Sequence, residues 1–273
     1  MKNDMESSTG GDRNFDDLTE KFSSKVYGGL KGDIRLAVIW RDLLAVMPAI
    51  KHSKPIRVLD IGGGLGQMSI RFAELGHSVT YNDVSSNMTA TAKHSANTAG
   101  VKDTIVWYQC AYQDLDTEEL GLFDLILCHA VLEWLDKPEE LLGQLIRHSS
   151  CDTVISLTFY NHNALVYRNL IRGNFKMLES DFKADPGSLT PHTPFQPERV
   201  KSWSEKLGLK LAKSSGLRVF HDYVTTVRGG HEHPQAVIDA ELVYSQIEPF
   251  KWLGRYIHFV FAKNTEIQKG DSD

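Results

Sequence analysis

The sequence predicts an α/β fold: a mostly parallel, seven-stranded sheet with helices on both faces. Three observations support this prediction. Strand-like and helix-like segments alternate through the middle of the chain, and most of the strand-like runs are continuously apolar. The first of these runs also leads through a glycine-rich turn into a helical pattern. Polar residues follow the strand ends, which is where open parallel sheets bind ligands.

The elements follow in order along the chain. Residues 14–50 have a helical pattern, interrupted by glycines at 28, 29 and 32, and are predicted to form an N-terminal helical cap. The five central strands are expected at 57–61, 78–82, 105–110, 123–128 and 153–159, with helices at 67–75, 86–99 and 139–148. Strand-like runs at 210–212, 216–223 and 255–262, with a helix at 235–247, predict a terminal antiparallel pair.

The chain is interpreted as one domain, 13–273, preceded by a disordered tail at 1–12 that is polar and rich in Gly and Ser. Residues 161–200 interrupt the alternation after the fifth strand. Four of the nine prolines lie in 161–197, with aromatic residues between them. We expect this segment to be an insertion that lies over the strand ends like a lid.

Bulk composition limits the function classes. The chain has 273 residues, of which 41% are hydrophobic, and a net charge of -5, which argues weakly against a nucleic-acid partner. However, residues 165–230 hold 11 Lys and Arg against 6 Asp and Glu, either a face for an anionic partner or scattered solvated charges. No secretory signal or membrane-length apolar run is visible. The three cysteines lack metal-site spacing, so buried reduced thiols, no metal and a cytoplasmic location are expected.

The glycine-rich turn selects the kind of ligand. A dinucleotide site wants G-x-G-x-x-G, but counting from Gly62 the sixth position is Gln67. The pattern from Asp60 to Gly66 is instead Asp-x-Gly-x-Gly-x-Gly, which resembles the first motif of class I S-adenosylmethionine-dependent methyltransferases. The resemblance implies a Rossmann-like fold and S-adenosyl-L-methionine as the methyl donor.

Residues after the later strands are candidates for holding this donor. Asp83, 21 residues after Gly62, could accept hydrogen bonds from both ribose hydroxyls, although Asp83 or Ser85 could instead cap a helix. Asp114 could meet the adenine or serve as a turn residue. His129 could be a base, a donor contact or a structural residue, and a binding contact is favoured. Asp60 is expected to orient the loop near the donor amino group.

The motifs that are absent after the fourth strand limit the chemical class of the methyl acceptor. After the fourth strand neither an Asn/Asp-Pro-Pro-aromatic motif nor a Pro-Cys pair is present, so exocyclic-amine and cytosine-C5 chemistry are unsupported. A carboxylate acceptor is already ionised at neutral pH and needs no base, only groups that hold it in line. Eight cationic or hydroxyl side chains could hold such a carboxylate, although each could instead be an ordinary surface residue. They are Lys31, Arg35, Tyr160, Arg168, Arg172, Arg218, Tyr223 and Arg255.

Several segments together resemble the bacterial tRNA 5-carboxymethoxyuridine methyltransferase family from about residue 13 to 263. They are residues 13–17, 20–23, the glycine loop, 129–134, 173–175, 218–223 and 253–258. The resemblance implies methyl esterification of 5-carboxymethoxyuridine at the tRNA wobble position. It implies donor-binding roles for Arg35, Gly62, Gly63, Asp83, Val84, Tyr112, Gln113 and His129. The residue pattern itself adds Asp60, Gly64 and Asp114 as weaker candidates. No general base is assigned, and the candidate acceptor-binding residues are Arg172, Arg218, His221, Tyr223 and Arg255.

Two departures from the family pattern are Tyr112, where a small residue is expected, and a less basic tail at 264–273. The expected partner is tRNA, with no DNA and no membrane. The alternatives are a class I methyltransferase for a small molecule such as a quinone precursor, a donor-binding module without catalysis, and, more remotely, a dehydrogenase.

Overall fold

The computed structural model describes residues 29–51, 54–179, 191 and 193–263. Its centre is one seven-stranded sheet with the order β3-β2-β1-β4-β5-β7-β6. The first five strands run parallel, and β7 lies antiparallel between β5 and β6. The strands are β1 (Arg57–Ile61), β2 (Ser78–Asn82), β3 (Ile105–Tyr108), β4 (Phe123–His129), β5 (Ser149–Tyr160), β6 (Lys210–Leu217) and β7 (Tyr256–Ala262).

Helices cover both faces of this sheet, as predicted. In the described part of the chain they are α1 (Leu30–Val46), α2 (Gln67–Glu74), α3 (Ser86–Thr98), α4 (Thr117–Leu120), α5 (Pro138–Arg147), α6 (His162–Ile171), α7 (Lys176–Glu179), α8 (Pro197–Lys206) and α9 (Pro234–Tyr244). One buried apolar cluster joins the sheet to α1, α2, α3 and α9. A second cluster joins the opposite face to α5 and α8.

The sequence located the parallel half of the sheet well, since β1 and β2 have the predicted bounds. It also predicted the terminal antiparallel pair, which is β6 and β7, but the bounds of the first strand of that pair were wrong. The runs at 210–212 and 216–223 are not separate: one strand, β6, covers Lys210–Leu217 and pairs with β7. The polar Ser214, Ser215 and Gly216 resemble a turn, but β6 packs Ser215 against the interior. Residues after Leu217 form a turn with a 3-10 segment, His221–Tyr223.

Other expectations had mixed outcomes. Gly32 does not interrupt the cap, because it lies inside α1. Cys128 is buried, but Cys110 is half-buried and Cys151 exposed, so the expectation of three buried thiols was wrong; all three are free. The tail at 1–12, the cap residues 13–28 and part of the lid-like segment, 180–190 and 192, lie outside the described residues. None of the described helices is long and apolar enough to cross a membrane.

Candidate functional site

The glycine loop is held by the backbone and by one carboxylate. The amide of Gly63 donates to the Asn82 carbonyl at 2.9 Å, which ties the loop to the end of β2. Asp83 follows β2; one carboxylate oxygen accepts from the Gly64 amide and the other from the Ser85 amide, both at 2.8 Å. The cap of α3 is Ser85, whose hydroxyl accepts from the Met88 amide at 3.1 Å. Asp83 therefore fixes both the loop and the start of α3.

At two of the glycines there is no space for a side chain. A Cβ atom at Gly62 would overlap Val131, and one at Gly63 would lie 2.6 Å from the Tyr81 ring. Both glycines also line the cleft, so the loop presents bare backbone there. Such bare backbone is what a ligand needs in order to approach closely.

Asp60 lies beneath this loop and is buried. Its carboxylate accepts a hydrogen bond from the Ser69 hydroxyl at 2.6 Å. Burial raises the pKa of Asp60 to about 6; the Ser69 hydrogen bond opposes the shift and the charge of Asp83 adds to it. A cation that enters the cleft would stabilise the ionised form of this buried carboxyl.

The cleft beside Asp60 is lined by Arg35, Leu36, Ile39, Asp60, Gly62, Gly63, Gln67, Met68 and His129. Arg35 reaches it from α1 and is only 4% exposed, so the interpretation of Arg35 as a surface residue was wrong. Its guanidinium carbon lies 5.3 Å from the centre of the Tyr256 ring. The cleft thus has a cation on one side and the Asp60 carboxyl on another.

His129 ends β4 and is buried in a polar chain. Its Nε2 lies 2.8 Å from the Ser156 hydroxyl, which lies 2.8 Å from Nε2 of His258. The other nitrogen of His258, Nδ1, lies 2.8 Å from Asp42 on α1. Burial, followed by the charges of His258 and Arg35, holds the pKa of His129 well below its ordinary value. A neutral imidazole of this kind suits a binding contact better than a general base.

At the same carboxyl edge of the sheet, the chain after β3 makes a 3-10 turn over Tyr112–Asp114. Tyr112 is buried there, whereas Gln113 and Asp114 are exposed. Val84, next to Asp83, exposes 48% of its surface, which is high for an aliphatic side chain. An apolar surface beside a carboxylate that already faces backbone amides is suited to a nucleoside.

A second group of cations lies near the ends of β5 and β7. Arg218 Nη2 is 3.5 Å and Arg255 Nε 4.0 Å from the same oxygen of Asp222. Arg255 also lies over the Tyr160 ring, 4.9 Å from its centre. Arg168 on α6 belongs to this group: burial and then the charges of Arg255 and Arg172 lower its pKa, while Asp222 opposes the shift. We call Tyr160, Arg168, Arg218, Asp222 and Arg255 the arginine pocket.

The arginine pocket has unused hydrogen-bonding capacity. Among the described residues, the buried Tyr160 hydroxyl, Arg255 Nη1 and Asp222 Oδ1 have no hydrogen-bond partner. Burial lowers the pKa of Arg218, with Asp222 acting against the shift. Three guanidinium groups therefore share one carboxylate in a largely buried place. An anionic ligand would balance this charge.

The remaining candidates for acceptor binding are divided. The Tyr223 hydroxyl donates to the Leu253 carbonyl at 2.6 Å, and its ring packs edge-on against Tyr167. His221 is half-buried, and its backbone amide donates to Glu241 at 2.9 Å. Arg172 is exposed at the end of α6. The sequence candidates Arg218 and Arg255 converge on Asp222, whereas Arg172 faces solvent.

Strained backbone marks both parts of the site. In the described part of the chain, Ala130 and Arg218 are the non-glycine residues with positive φ, both at 60°. Ala130 directly follows His129, and Arg218 begins the turn that carries Asp222. Such conformations cost about 1–3 kcal/mol each and persist only where the surroundings enforce them.

Sequence reasoning missed several buried polar residues. Glu133 is fully buried, and burial raises its pKa to about 7, while nearby backbone amides and the charge of Arg35 oppose the shift. Asp42, Ser156 and His258 were missed as well. One signal was available for His258: it is a titratable residue within the otherwise apolar run of β7. His258 and Asp42 lie 216 positions apart in the sequence, and no local pattern reveals their contact.

Comparisons with known proteins agree with this geometry. The model of a family described as "Methyltransferase domain" matches residues 59–155, from β1 into β5. A magnesium protoporphyrin IX methyltransferase from Synechocystis, crystallised with bound SAH, superimposes with a TM-score of 0.61 at 16% identity. That match covers 92% of this chain and 96% of the other, and it confirms the Rossmann-like methyltransferase fold.

A relative with higher sequence identity is the tRNA 5-carboxymethoxyuridine methyltransferase of Escherichia coli K12. It is 40% identical over 253 residues, covering 92% of this chain and 97% of the relative. The chain belongs to the tRNA 5-carboxymethoxyuridine methyltransferase family. A ubiquinone biosynthesis O-methyltransferase of Colwellia psychrerythraea is 26% identical and covers only 65% of the chain. The family assignment therefore favours the first interpretation of the sequence over the quinone alternative.

Proposed function

We propose that this chain transfers a methyl group from S-adenosyl-L-methionine to the carboxylate of 5-carboxymethoxyuridine at the tRNA wobble position. The observation that carries the proposal is the arginine pocket, in which three guanidinium groups face one carboxylate. The named activity of the 40% identical relative supports the same acceptor. A cytoplasmic location, where tRNA is modified, is part of the proposal.

The cleft residues fit the methyl donor. Gly62 and Gly63 line the cleft with bare backbone, and Asp60 offers a buried carboxyl for an ammonium group. In this proposal Arg35 holds the donor carboxylate and His129 contacts the amino-acid end. Asp83 would accept hydrogen bonds from the ribose hydroxyls. The adenine lies near Val84, Tyr112 and Gln113, with Gly64 and Asp114 as weaker contacts.

S-adenosyl-L-methionine, when bound, supplies an electrophilic methyl group that a carboxylate accepts without losing a proton. The protein then has to align and desolvate the acceptor, so a general base is unnecessary. Arg218 and Arg255 would hold the acceptor carboxylate, and the Tyr160 hydroxyl could donate to it. Tyr223 and the exposed Arg172 would contact nearby parts of the nucleoside or the tRNA backbone, with His221 shaping the turn between them.

The direct test incubates the purified protein with the donor and tRNA that carries 5-carboxymethoxyuridine. Mass spectrometry of the nucleosides should detect the methyl ester, and mild alkali should remove the added methyl group because it is an ester. Persistence of the ester in tRNA from a strain lacking this gene would contradict the proposal. Methylation of a quinone precursor but not of tRNA would favour the small-molecule alternative.

A variant pair tests the arginine pocket. Arg255→Ala removes a charge-assisted contact to the acceptor, and such contacts change kcat/KM by about 10- to 100-fold. The same variant should bind S-adenosyl-L-homocysteine as the wild type does. Arg147→Ala is the matched control, because Arg147 is an exposed arginine on α5, outside residues 165–230. Equal kcat/KM for Arg255→Ala and Arg147→Ala would remove the pocket from the mechanism.

A further inference from the structure

The buried chain from His129 to Asp42 links two donor-site elements that are far apart in sequence. Ser156 and His258 have no exposed surface, nor does Asp42, and each of the three contacts measures 2.8 Å. The chain crosses β5 and β7 and ends on α1, the helix that also carries Arg35. It thus connects two residues that line the same cleft, His129 and Arg35.

The far end of the chain has a fixed direction. Asp42 also pairs with Arg41 at 2.6 Å, and Lys213 lies 4.0 Å away. Burial would raise the pKa of Asp42, but His258 and Arg41 together outweigh it, and the pKa is lowered. An ionised carboxylate can only accept hydrogen bonds, so Nδ1 of His258 carries the proton in this contact.

The remaining protons follow when Nδ1 carries the only proton of His258. Its Nε2 then accepts from the Ser156 hydroxyl, whose oxygen accepts from Nε2–H of His129, whereas a second proton on His258 would reverse both of these bonds. All three hydrogen bonds point toward Asp42, and such aligned bonds strengthen one another. His129 is then the tautomer with its proton on Nε2, and its Nδ1 keeps a lone pair. A donor ammonium group requires a lone pair of this kind.

We propose that His258 carries its only proton on Nδ1 and that Asp42, Ser156 and His258 are positioning residues that fix the tautomer of His129, so that its Nδ1 accepts a hydrogen bond from the ammonium group of the methyl donor. The proposal rests on the proposed function for the identity of the ligand. It extends the donor site by three residues, none of which lines the cleft.

Ser156→Ala breaks the chain by removing a single oxygen atom. Nitrogen-15 spectra of histidine-labelled protein distinguish the two imidazole tautomers, and the His129 signals are assigned by their loss in His129→Gln. We expect one tautomer of His129 in the wild type and a mixture in Ser156→Ala. Ser204→Ala is the matched control: this serine is equally buried, and its hydroxyl donates within α8 to the Val200 carbonyl at 2.9 Å.

Calorimetry adds a readout that a merely structural role would not change. Ser156→Ala should bind S-adenosyl-L-homocysteine about 2- to 12-fold more weakly, the range for one hydrogen bond, and Ser204→Ala should not. The analogue of this ligand without the amino group should bind to Ser156→Ala and wild type equally. Equal weakening for both ligands, or an unchanged His129 spectrum, would overturn the proposal.

Asp42→Asn tests the other end of the chain. An amide can accept from Nδ1–H of His258 or, turned over, donate to that nitrogen, so the direction is no longer fixed. Both His129 tautomers should then appear, although Asp42 is two residues removed from His129 in the chain of contacts. A single tautomer, as in the wild type, would count against the proposal. The spectra need no ligand, so they decide this inference even if failure to bind any donor contradicted the proposed function.

Discussion

At the scale of single residues, the site contains groups whose burial or backbone conformation costs free energy in the folded protein. Asp60 and Glu133 are carboxyls without solvent, and burial raises the pKa of both. Arg218 adds a strained backbone. Binding sites accumulate such costs because a ligand of opposite charge recovers them. Stability and donor binding should therefore respond in opposite directions to a change at Asp60.

Asp60→Asn tests this opposition. The pKa of about 6 lies above the ordinary value of 3.8, so between these values the folded state binds more protons than the unfolded state. The free energy of unfolding of the wild type should then fall as the pH rises through that window and level off above it. The amide introduced by the substitution stays neutral and can still accept from Ser69. At pH 8 the variant should be more stable by about 1–3 kcal/mol, a difference that vanishes near pH 4.

Urea unfolding at the two pH values measures this difference, with Asp103→Asn as the control at an exposed position. The same Asp60→Asn protein should bind the methyl donor more weakly in calorimetry, because the ammonium group no longer meets a carboxylate. A variant that is destabilised equally at pH 4 and pH 8 would show that Asp60 serves the fold rather than the ligand.

At the scale of elements, the sequence predicted the loops at the carboxyl ends of the parallel strands. It did not predict the distant residues that hold other loops in place. Short strand-like runs in the sequence located β1, β2 and β4, and the residue after each strand is found at the cleft or next to it: Gly62, Asp83 and Ala130. These facts depend only on local sequence. The shape of β6 depends on tertiary contact instead: a Cβ at Gly216 would overlap the Lys251 carbonyl, so this glycine marks close packing and not a turn.

The turn after β6 shows the same dependence on distant residues. Glu241 on α9 accepts from the backbone amides of Val219, Phe220 and His221 at 2.8, 3.2 and 2.9 Å. No sequence pattern connects Glu241 to this turn, yet it fixes the segment between Arg218 and Asp222. We infer that α9 holds the acceptor side of the site in place.

Glu241→Ala should release this turn. The buried amide of Val219 and the partly buried amides of Phe220 and His221 are left without their acceptor. Each unsatisfied buried group costs about 1–3 kcal/mol, with water recovering part of the loss. Methyl transfer to tRNA should fall at least about 10-fold, while binding of S-adenosyl-L-homocysteine stays within about 2-fold of wild type. Steady-state kinetics and calorimetry measure the two effects. Asp239→Ala, an exposed change on the same helix, is the control, and an equal decrease in both properties would mean general unfolding.

At the scale of the whole molecule, one segment carries a charge opposite in sign to the net charge of the chain. The net charge of -5 would repel a polyanion, but residues 165–230 hold 11 cationic against 6 acidic side chains. The described part of this segment includes α6 and α7, next to the arginine pocket through Arg168. Arg172 and Lys176 are exposed there. A tRNA whose wobble nucleoside enters the pocket would pass its phosphates over this surface.

The double variant Arg172→Glu/Lys176→Glu tests this arrangement against Lys51→Glu/Lys102→Glu, which changes the net charge equally at exposed positions outside the segment. Removing one cation that neutralises a phosphate should reduce the slope of log affinity against log salt by about 0.7–0.9, so the first variant should bind tRNA more weakly and with a slope shallower by about 1–2. The second should resemble the wild type, since charges far from the bound tRNA are screened beyond roughly 10 Å at 0.1 M salt. Filter binding over a range of salt concentrations measures both slopes. If the affinity of the two variants fell equally, the net charge and not this surface would govern association, and the tRNA would have to approach the arginine pocket from another side.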